Sequence, residues 1–259
     1  METFLLFFVV GALAQSVDGA LGMAYGVISS SVLLAFGVPP AMASASVHGA
    51  EVFTTAASAG SHIWHRNIDW RLLVPLAVAG VVGGCLGAYV LTGIKGDVIK
   101  PFIVAYLAIM GAYIVWRAGH DIRPRHLSGW VMAPIGAVGG FLDAVGGGGW
   151  GPTVSSSLVA GGQEPRRAIG TVNTAEFFLT VAISATFAWA LVTGHWAEAG
   201  ALENHASAIG GLVAGGLLAA PFAGLIAKRV PRRPMTYAVG GLLLVLAGFQ
   251  GLQLAGVIA

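Results

Sequence analysis

The strongest constraint on this chain is that it contains itself twice. Displacing the 259-residue sequence by 125 positions brings Asp18 onto Asp143, Gly22 onto Gly147, Tyr25 onto Trp150 and Gly26 onto Gly151. The register continues without a gap: Ala43 meets Ala168, Val47 meets Val172, Glu51 meets Glu176, Thr55 meets Thr180 and Trp64 meets Trp189. His48 falls on Asn173, so "SVHGAEVFTT" and "TVNTAEFFLT" read as one motif. A fold for this chain must accommodate two copies of one architecture.

The solvent of that fold follows from charge. Only 9% of residues are charged and 56% are hydrophobic, against about 25% charged in a soluble domain. Apolar runs of roughly 20 residues recur along the chain, the length of a transmembrane helix. They do not alternate as barrel strands do. The reading is an all-α polytopic membrane protein, and duplication in such a protein points to a transporter fold. Cys85 is the single cysteine, which leaves no internal disulfide and no cysteine metal site. The net charge of +2 gives no basis for nucleic-acid binding. "LFFVVGALA" near the N-terminus has the look of a signal peptide but lacks a basic leader. Asp18 after it belongs to the repeat, so the segment is expected to be part of the mature fold.

Thirteen basic residues decide between two topologies. If every element crosses once, Lys95, Lys100, Arg166, Arg167, Lys228, Arg229, Arg232 and Arg233 share one side, eight in all. Arg66, Arg71, Arg117, Arg123 and Arg125 take the other, so the score is eight against five. If each glycine-interrupted element is instead a re-entrant hairpin, only Lys95 and Lys100 remain outside, eleven against two. The positive-inside rule selects the second arrangement. It gives two inverted repeats, each a Gly-broken re-entrant hairpin plus three transmembrane helices, with both termini outside. Repeat 1 spans 1–117, with its hairpin at 3–37 and helices at 41–62, 72–92 and 99–116. A cytoplasmic linker follows at 118–128. Repeat 2 spans 129–259, with its hairpin at 129–160 and helices at 167–192, 206–227 and 235–257. The 193–205 loop, which has Glu198 and Glu203 and no Lys or Arg, falls outside. Irregular backbone at membrane depth survives only inside protein or beside a wet cavity. The two breaks are therefore expected to meet near the membrane centre.

Four of the eleven acids, Asp18, Glu51, Asp143 and Glu176, lie well inside apolar segments. Glu51 follows Pro40 by eleven residues, about 16 Å along a helix, roughly halfway through a 30 Å hydrocarbon core. Intramembrane carboxyls are rare and face a cavity or a partner. With no Lys or Arg at that depth, they must carry protons for part of a cycle or bind a cation. Ser44, His48, Glu51, Thr55, Ser58 and His62 form one polar stripe at helical spacing, and Asn173, Glu176, Thr180 and Ser184 repeat it. The hydroxyls also fit a simpler role as links between helices.

A run of four glycines, Gly146–Gly149, exceeds what helix packing needs. Unwound backbone there, with the positive end of the following half-helix, can bind an anion without any fixed positive charge. Ser29–Ser31 and Ser155–Ser157 add hydroxyl donors. The expected substrate contacts are Gly22, Tyr25, Gly26, Ser30, Gly147, Gly148, Gly149, Trp150, Ser156 and Asn173. The expected proton-coupling groups are Asp18, His48, Glu51, Asp143 and Glu176. In an alternative reading those same five hold a divalent cation, since the set is rich in oxygen with some nitrogen. An intramembrane enzyme is the weakest reading, because no nucleophile motif, zinc signature or Walker sequence occurs.

"DAVGGGGWG", "DGALGMAYG", "GVPPAMASASVHGAE", "EPRRAIGTVNTAE" and "HRNIDWRLLVPLAVAGVVGGCLGAYV" together resemble the TauE/SafE family of membrane permeases, the sulfite exporters. The resemblance covers essentially the whole chain. It implies export of a small sulfur-containing anion such as sulfite or an organosulfonate. The resulting expectation is a proton-coupled secondary transporter in the plasma (inner) membrane, multi-pass, with no catalytic residue and no cofactor. Its partners would be a small inorganic or organic anion, protons and lipid, with a homo-oligomer allowed and no nucleic acid.

Overall fold

The computed structural model describes residues 1–21, 23–120, 129–160, 163, 165–196, 202–229 and 232–258. Gly22 and the arginines of the 121–128 segment, Arg123 and Arg125, lie outside the described residues, as does Glu198. Among the described residues every regular element is a helix: α1 (Glu2–Leu21), α2 (Tyr25–Ala35), α3 (Pro40–Trp64), α4 (Trp70–Gly93) and α5 (Gly96–Gly119). Then come α6 (Gly129–Gly146), a π-helical turn (Gly151–Ser155) continued by α7 (Ser156–Ala160), α8 (Pro165–Val192), α9 (Leu202–Arg229) and α10 (Arg232–Leu254). The order long, short, long, long, long occurs twice.

Local chemistry sets the boundaries. Pro40 and Pro165 open α3 and α8, where a missing N–H costs nothing. The Asp69 carboxylate accepts from Arg71 N at 3.0 Å and caps α4, as an N-cap aspartate should. Asp69 N in turn donates to Thr171 Oγ1 at 2.9 Å, so the loop between α3 and α4 is tied to the first turns of α8.

Helices α4, α5, α8 and α10 are long and apolar enough to cross a membrane, over Trp70–Gly93, Gly96–Gly119, Arg167–Val192 and Arg233–Leu254. The distribution of side chains is that of a membrane protein. Val74, Val78, Val82 and Leu86 form an exposed apolar stripe on α4, while His48, Glu51 and Asp143 are buried. A soluble domain would present such a stripe to its core; here it suits lipid.

Packing of the helices has the symmetry of the sequence. Helix α1 lies on α9, and α6, its repeat equivalent, lies on α4; α3 packs on α8 and α5 on α10. Small residues allow the close approaches. A methyl group at Gly136 would stand 2.8 Å from Leu76 O, and one at Gly87 would stand 2.7 Å from Phe141 O, so α4 and α6 run parallel. Gly211 faces Phe4 and Gly215 faces Phe8, which makes α1 and α9 parallel too. The equivalent helices run the other way. Thr55 meets Thr180 and Ser58 meets Asn173, so α3 and α8 are antiparallel. Gly111 lies against Gly240–Leu244 and Gly119 against Tyr237, which makes α5 and α10 antiparallel as well.

Candidate functional site

The chain turns back on itself twice, between α1 and α2 and at residues 147–149. Phe7 on α1 packs edge-on against Phe36, just past the end of α2, with ring centroids 5.4 Å apart. Gly139 on α6 likewise faces Thr153 and Val154 beyond the second break. At the second break Gly147, Gly148 and Gly149 have φ of 66°, 147° and 155°, a region that residues with side chains rarely adopt. The equivalent of Gly149 in the first half is Ala24, held at φ 111°. An alanine there carries strain that glycine avoids.

Each break is capped by its own aspartate. Trp150 N donates to Asp143 Oδ1 at 2.8 Å across a gap of seven residues. Tyr25 N points to Asp18 Oδ1 at 3.4 Å across the same gap. Several main-chain groups of the second break find partners within the protein. Gly148 N donates to Asp143 O at 3.0 Å and Gly148 O accepts from Tyr106 Oη at 3.0 Å. Gly149 O accepts from Thr153 N at 3.1 Å. Backbone unwound among apolar helices requires such partners.

The second break touches the first turn of α2. A methyl group at Gly26 would lie 2.7 Å from Gly148 Cα, 2.9 Å from Gly147 O and 3.1 Å from Glu51 Oε1. One at Gly147 would lie 2.6 Å from Ser30 Cβ. Only main chain against main chain fits at this point.

Beside the contact, Asp143 Oδ2 stands 3.1 Å from His48 Nε2, both side chains buried. The other ring nitrogen, Nδ1, lies 2.8 Å from Ser44 O. A carbonyl oxygen only accepts, so Nδ1 carries hydrogen. Ser44 Oγ, which donates to Ala144 O, receives the same Nδ1–H from 3.3 Å. One further proton is then shared by Nε2 and Oδ2. Whether it rests on nitrogen or oxygen, the pair has no net charge, and its loss would set a lone pair against a carboxylate. This pair has no second copy. Asn173, on the position that repeats His48, donates through Nδ2 to Ser58 Oγ at 3.1 Å.

The remaining acids gather around the same point. Glu51 has Asp143, Glu176 and Asp18 as electrostatic neighbours, and Glu176 has Asp18 and Asp143. Glu51 Oε2 is buried without a hydrogen-bond partner. Among the described residues, no three His, Cys, Asp or Glu side chains are arranged to hold a metal ion.

The residues singled out in the sequence occupy different places. Gly26, Gly147, Gly148, Asp143, His48 and Glu51 are together at the contact. Ser30 is buried there, its hydroxyl 3.4 Å from Val27 O. Tyr25 and Trp150 are packed within the protein: Tyr25 Oη reaches Leu212 O at 3.4 Å, and Trp150 Nε1 donates to Val172 O at 3.2 Å. The Trp150 ring lies against Gly80 and Gly139. Ser156 lines a cavity whose wall includes none of these contact residues. Tyr106, which grips the second break from α5, carries no motif; its place in the middle of an apolar run was its one signal. Gln250, wholly buried on α10, donates to Ser31 O at 3.2 Å and is likewise a polar side chain deep in an apolar span.

The chain can be compared with known proteins on this footing. The family model described as "Sulfite exporter TauE/SafE" matches residues 7–249. A curated relative from Bacillus subtilis (strain 168), "Probable membrane transporter protein YtnM", is 41% identical over 252 residues, covering 95% of this chain and 81% of the relative. No solved structure matches. A match over nearly the full length, through both breaks and all the helices that pack around them, means that the chain belongs to the sulfite exporter TauE/SafE family.

Proposed function

We propose that this chain is a secondary membrane transporter that exports a small sulfur-containing anion across the plasma membrane with proton coupling. The observation that carries the reading is the His48–Asp143 pair, a buried proton-sharing site set beside the contact of the second break with the first turn of α2. The family and the relative named as a probable membrane transporter support the transport reading.

In this reading the two halves are inverted repeats and each break belongs to a re-entrant hairpin. The antiparallel registers of α3 with α8 and of α5 with α10 support that arrangement, as does the count of basic residues. Equivalent helices that cross antiparallel are related by an axis in the membrane plane, the arrangement in which substrates bind near the midplane. The pathway runs between the breaks, past Gly26, Gly147, Gly148 and Gly149, with Asp18, Glu51, Asp143 and Glu176 around it.

An anion entering this region meets carboxyl groups, so protons on them lower the barrier to its passage. The shared proton of His48 and Asp143 keeps that pair neutral while the anion passes. Outward movement has an electrical drive of about 2.3 kcal/mol per unit charge per 100 mV of inside-negative potential. Flux in proteoliposomes tests the reading. Sulfite or an alkanesulfonate should cross, and an imposed pH gradient should change the rate. Flux indifferent to that gradient would remove the coupling, and no flux of any sulfur oxyanion would remove the substrate class.

A further inference from the structure

A cavity of about 210 Å³, lined by none of the four clustered acids, lies between the first break and the C-terminal end of α5. Its lining includes Met23 of the first break, Tyr113, Ile114 and Arg117 of α5, and Ser155 and Ser156 beyond the second break. Three of these residues have polar atoms that are buried and lack a hydrogen-bond partner: Arg117 Nη1, Ser155 Oγ and Ser156 Oγ. Ser155 and Ser156 are only 3% and 2% exposed. A buried donor without a partner costs about 1–3 kcal/mol and more when charged, so three around one cavity call for a ligand that supplies acceptors. No acidic side chain lines the cavity among the described residues.

We propose that this cavity is a loading site for a small, singly charged oxyanion, held by the Arg117 guanidinium and the hydroxyls of Ser155 and Ser156. The proposal rests on the anion-transporter reading and adds a station outside the acid cluster. One guanidinium matches one negative charge, and its fork suits two oxygens of a sulfonate or related group. The rest of the lining, including Leu21, Met23, Ile114 and Ile169, takes an apolar substituent better than a second charge. The volume falls below the 300–1,000 Å³ of sites for drug-sized ligands. Arg117 lies in the last turn of α5, on the side that the basic residues mark as cytoplasmic. The anion would therefore be collected there, where positive charge is available, before it meets the carboxyls. Ser30 and Ser31 occupy the repeat-equivalent positions of Ser155 and Ser156. The 125-residue shift pairs Arg117 with Leu242, so the symmetry-related position lacks the arginine, and the site, built from both halves, has no second copy.

The test is equilibrium binding of ethanesulfonate to the purified full chain in zwitterionic nanodiscs, with inorganic sulfate as the second probe. Ethanesulfonate should bind and sulfate should bind more weakly. Arg117→Gln should weaken ethanesulfonate binding about 10- to 100-fold, the range for a lost charge-assisted contact. Arg117→Lys should restore part of it, and Ser155→Ala with Ser156→Ala should cost several-fold. Unchanged gel-filtration behaviour of Arg117→Lys controls for folding. Wild-type affinity in Arg117→Gln, or equal binding of sulfate, overturns the site. Displacement of ethanesulfonate by phosphatidylglycerol in the disc would reassign the cavity to a lipid headgroup and also overturn it. Sulfonate flux that persists with unchanged KM in Arg117→Gln sinks this inference and leaves the transporter intact. Absence of flux in the wild type sinks the transporter reading instead.

Discussion

Thr55 and Thr180 touch, Oγ1 to Oγ1 at 3.3 Å, and they are the same position of the 125-residue repeat. A residue meets its own equivalent only where the two copies adjoin at a symmetry axis. Near that axis the pair is surrounded by α3 and α8, the helices that contribute Glu51 and Glu176. Replacing both threonines with cysteine in a Cys85→Ala background should give a disulfide under mild oxidation. The measurement is loss of both free thiols, with the halves still joined after proteolysis in the 121–128 segment. Separate halves would place α3 and α8 in another register.

Orientation is open to a labelling experiment. Lys95→Cys and Arg167→Cys, each at an exposed position and in the Cys85→Ala background, should react with a membrane-impermeant maleimide from opposite faces of the cell membrane. Labelling of both from one face would contradict the hairpin topology and restore the single-crossing alternative.

Asp143→Asn separates the cap from the proton. Asparagine caps a helix about as well as aspartate, and its amide can donate to the unprotonated Nε2 of His48. The variant should fold, with stability within about 1 kcal/mol of wild type, yet have no proton to exchange at this position. Flux should fall and its pH dependence should flatten. A retained wild-type pH profile would assign coupling to Asp18, Glu51 or Glu176.

Gly148→Ala should be severely destabilising. The methyl group would collide with the main chain at Gly26–Val27, and φ of 147° is strained for alanine. Neither obstacle is a flexible side chain, so a cost above about 4 kcal/mol is expected, seen as lost expression or aggregation on gel filtration. Gly241→Ala is the control. It lies inside α10 with nothing within 4 Å, and there alanine should be neutral or stabilising by up to about 1 kcal/mol.

Ala24→Gly should act in the opposite sense. Relief of the strain at φ 111° is worth about 1–2 kcal/mol, offset by the extra freedom that glycine gives the unfolded chain, about 0.4–1 kcal/mol. The melting temperature in detergent should rise slightly. A fall would mean that the methyl group, buried at 4% exposure, contributes more by packing than it costs in strain.

The helical class and the membrane environment were legible because both are averages over many residues. Long apolar runs and few charges survive any error at a single position. The pairing of Asp143 with Trp150, and of Asp18 with Tyr25, was within reach of the repeat, since each aspartate precedes its aromatic by seven residues. What a shift of the sequence could not convey was occupancy. Trp150 and Tyr25 were read as substrate contacts, and the fold buries both rings between helices. Asp143 was expected from the sequence to be a proton-coupling group, but its acceptance from Trp150 N depends on how sharply the glycines turn. Tyr106 was not singled out, and Arg117 counted only toward topology, for a related reason. One residue in an apolar run, or one charge near a loop, gains meaning only from what the fold places opposite it.

The contact of Gly26 with Gly148 has a bearing on the whole cell as well as on the site. Main chain meets main chain there with no side chain between, so on the proposed transport reading this contact would seal the pathway in the resting molecule. Many copies could sit in an energised membrane without draining the ion gradients that other machinery maintains. Conductance would begin only when the two strands of backbone part, which makes their separation the step on which leak and productive turnover must be distinguished.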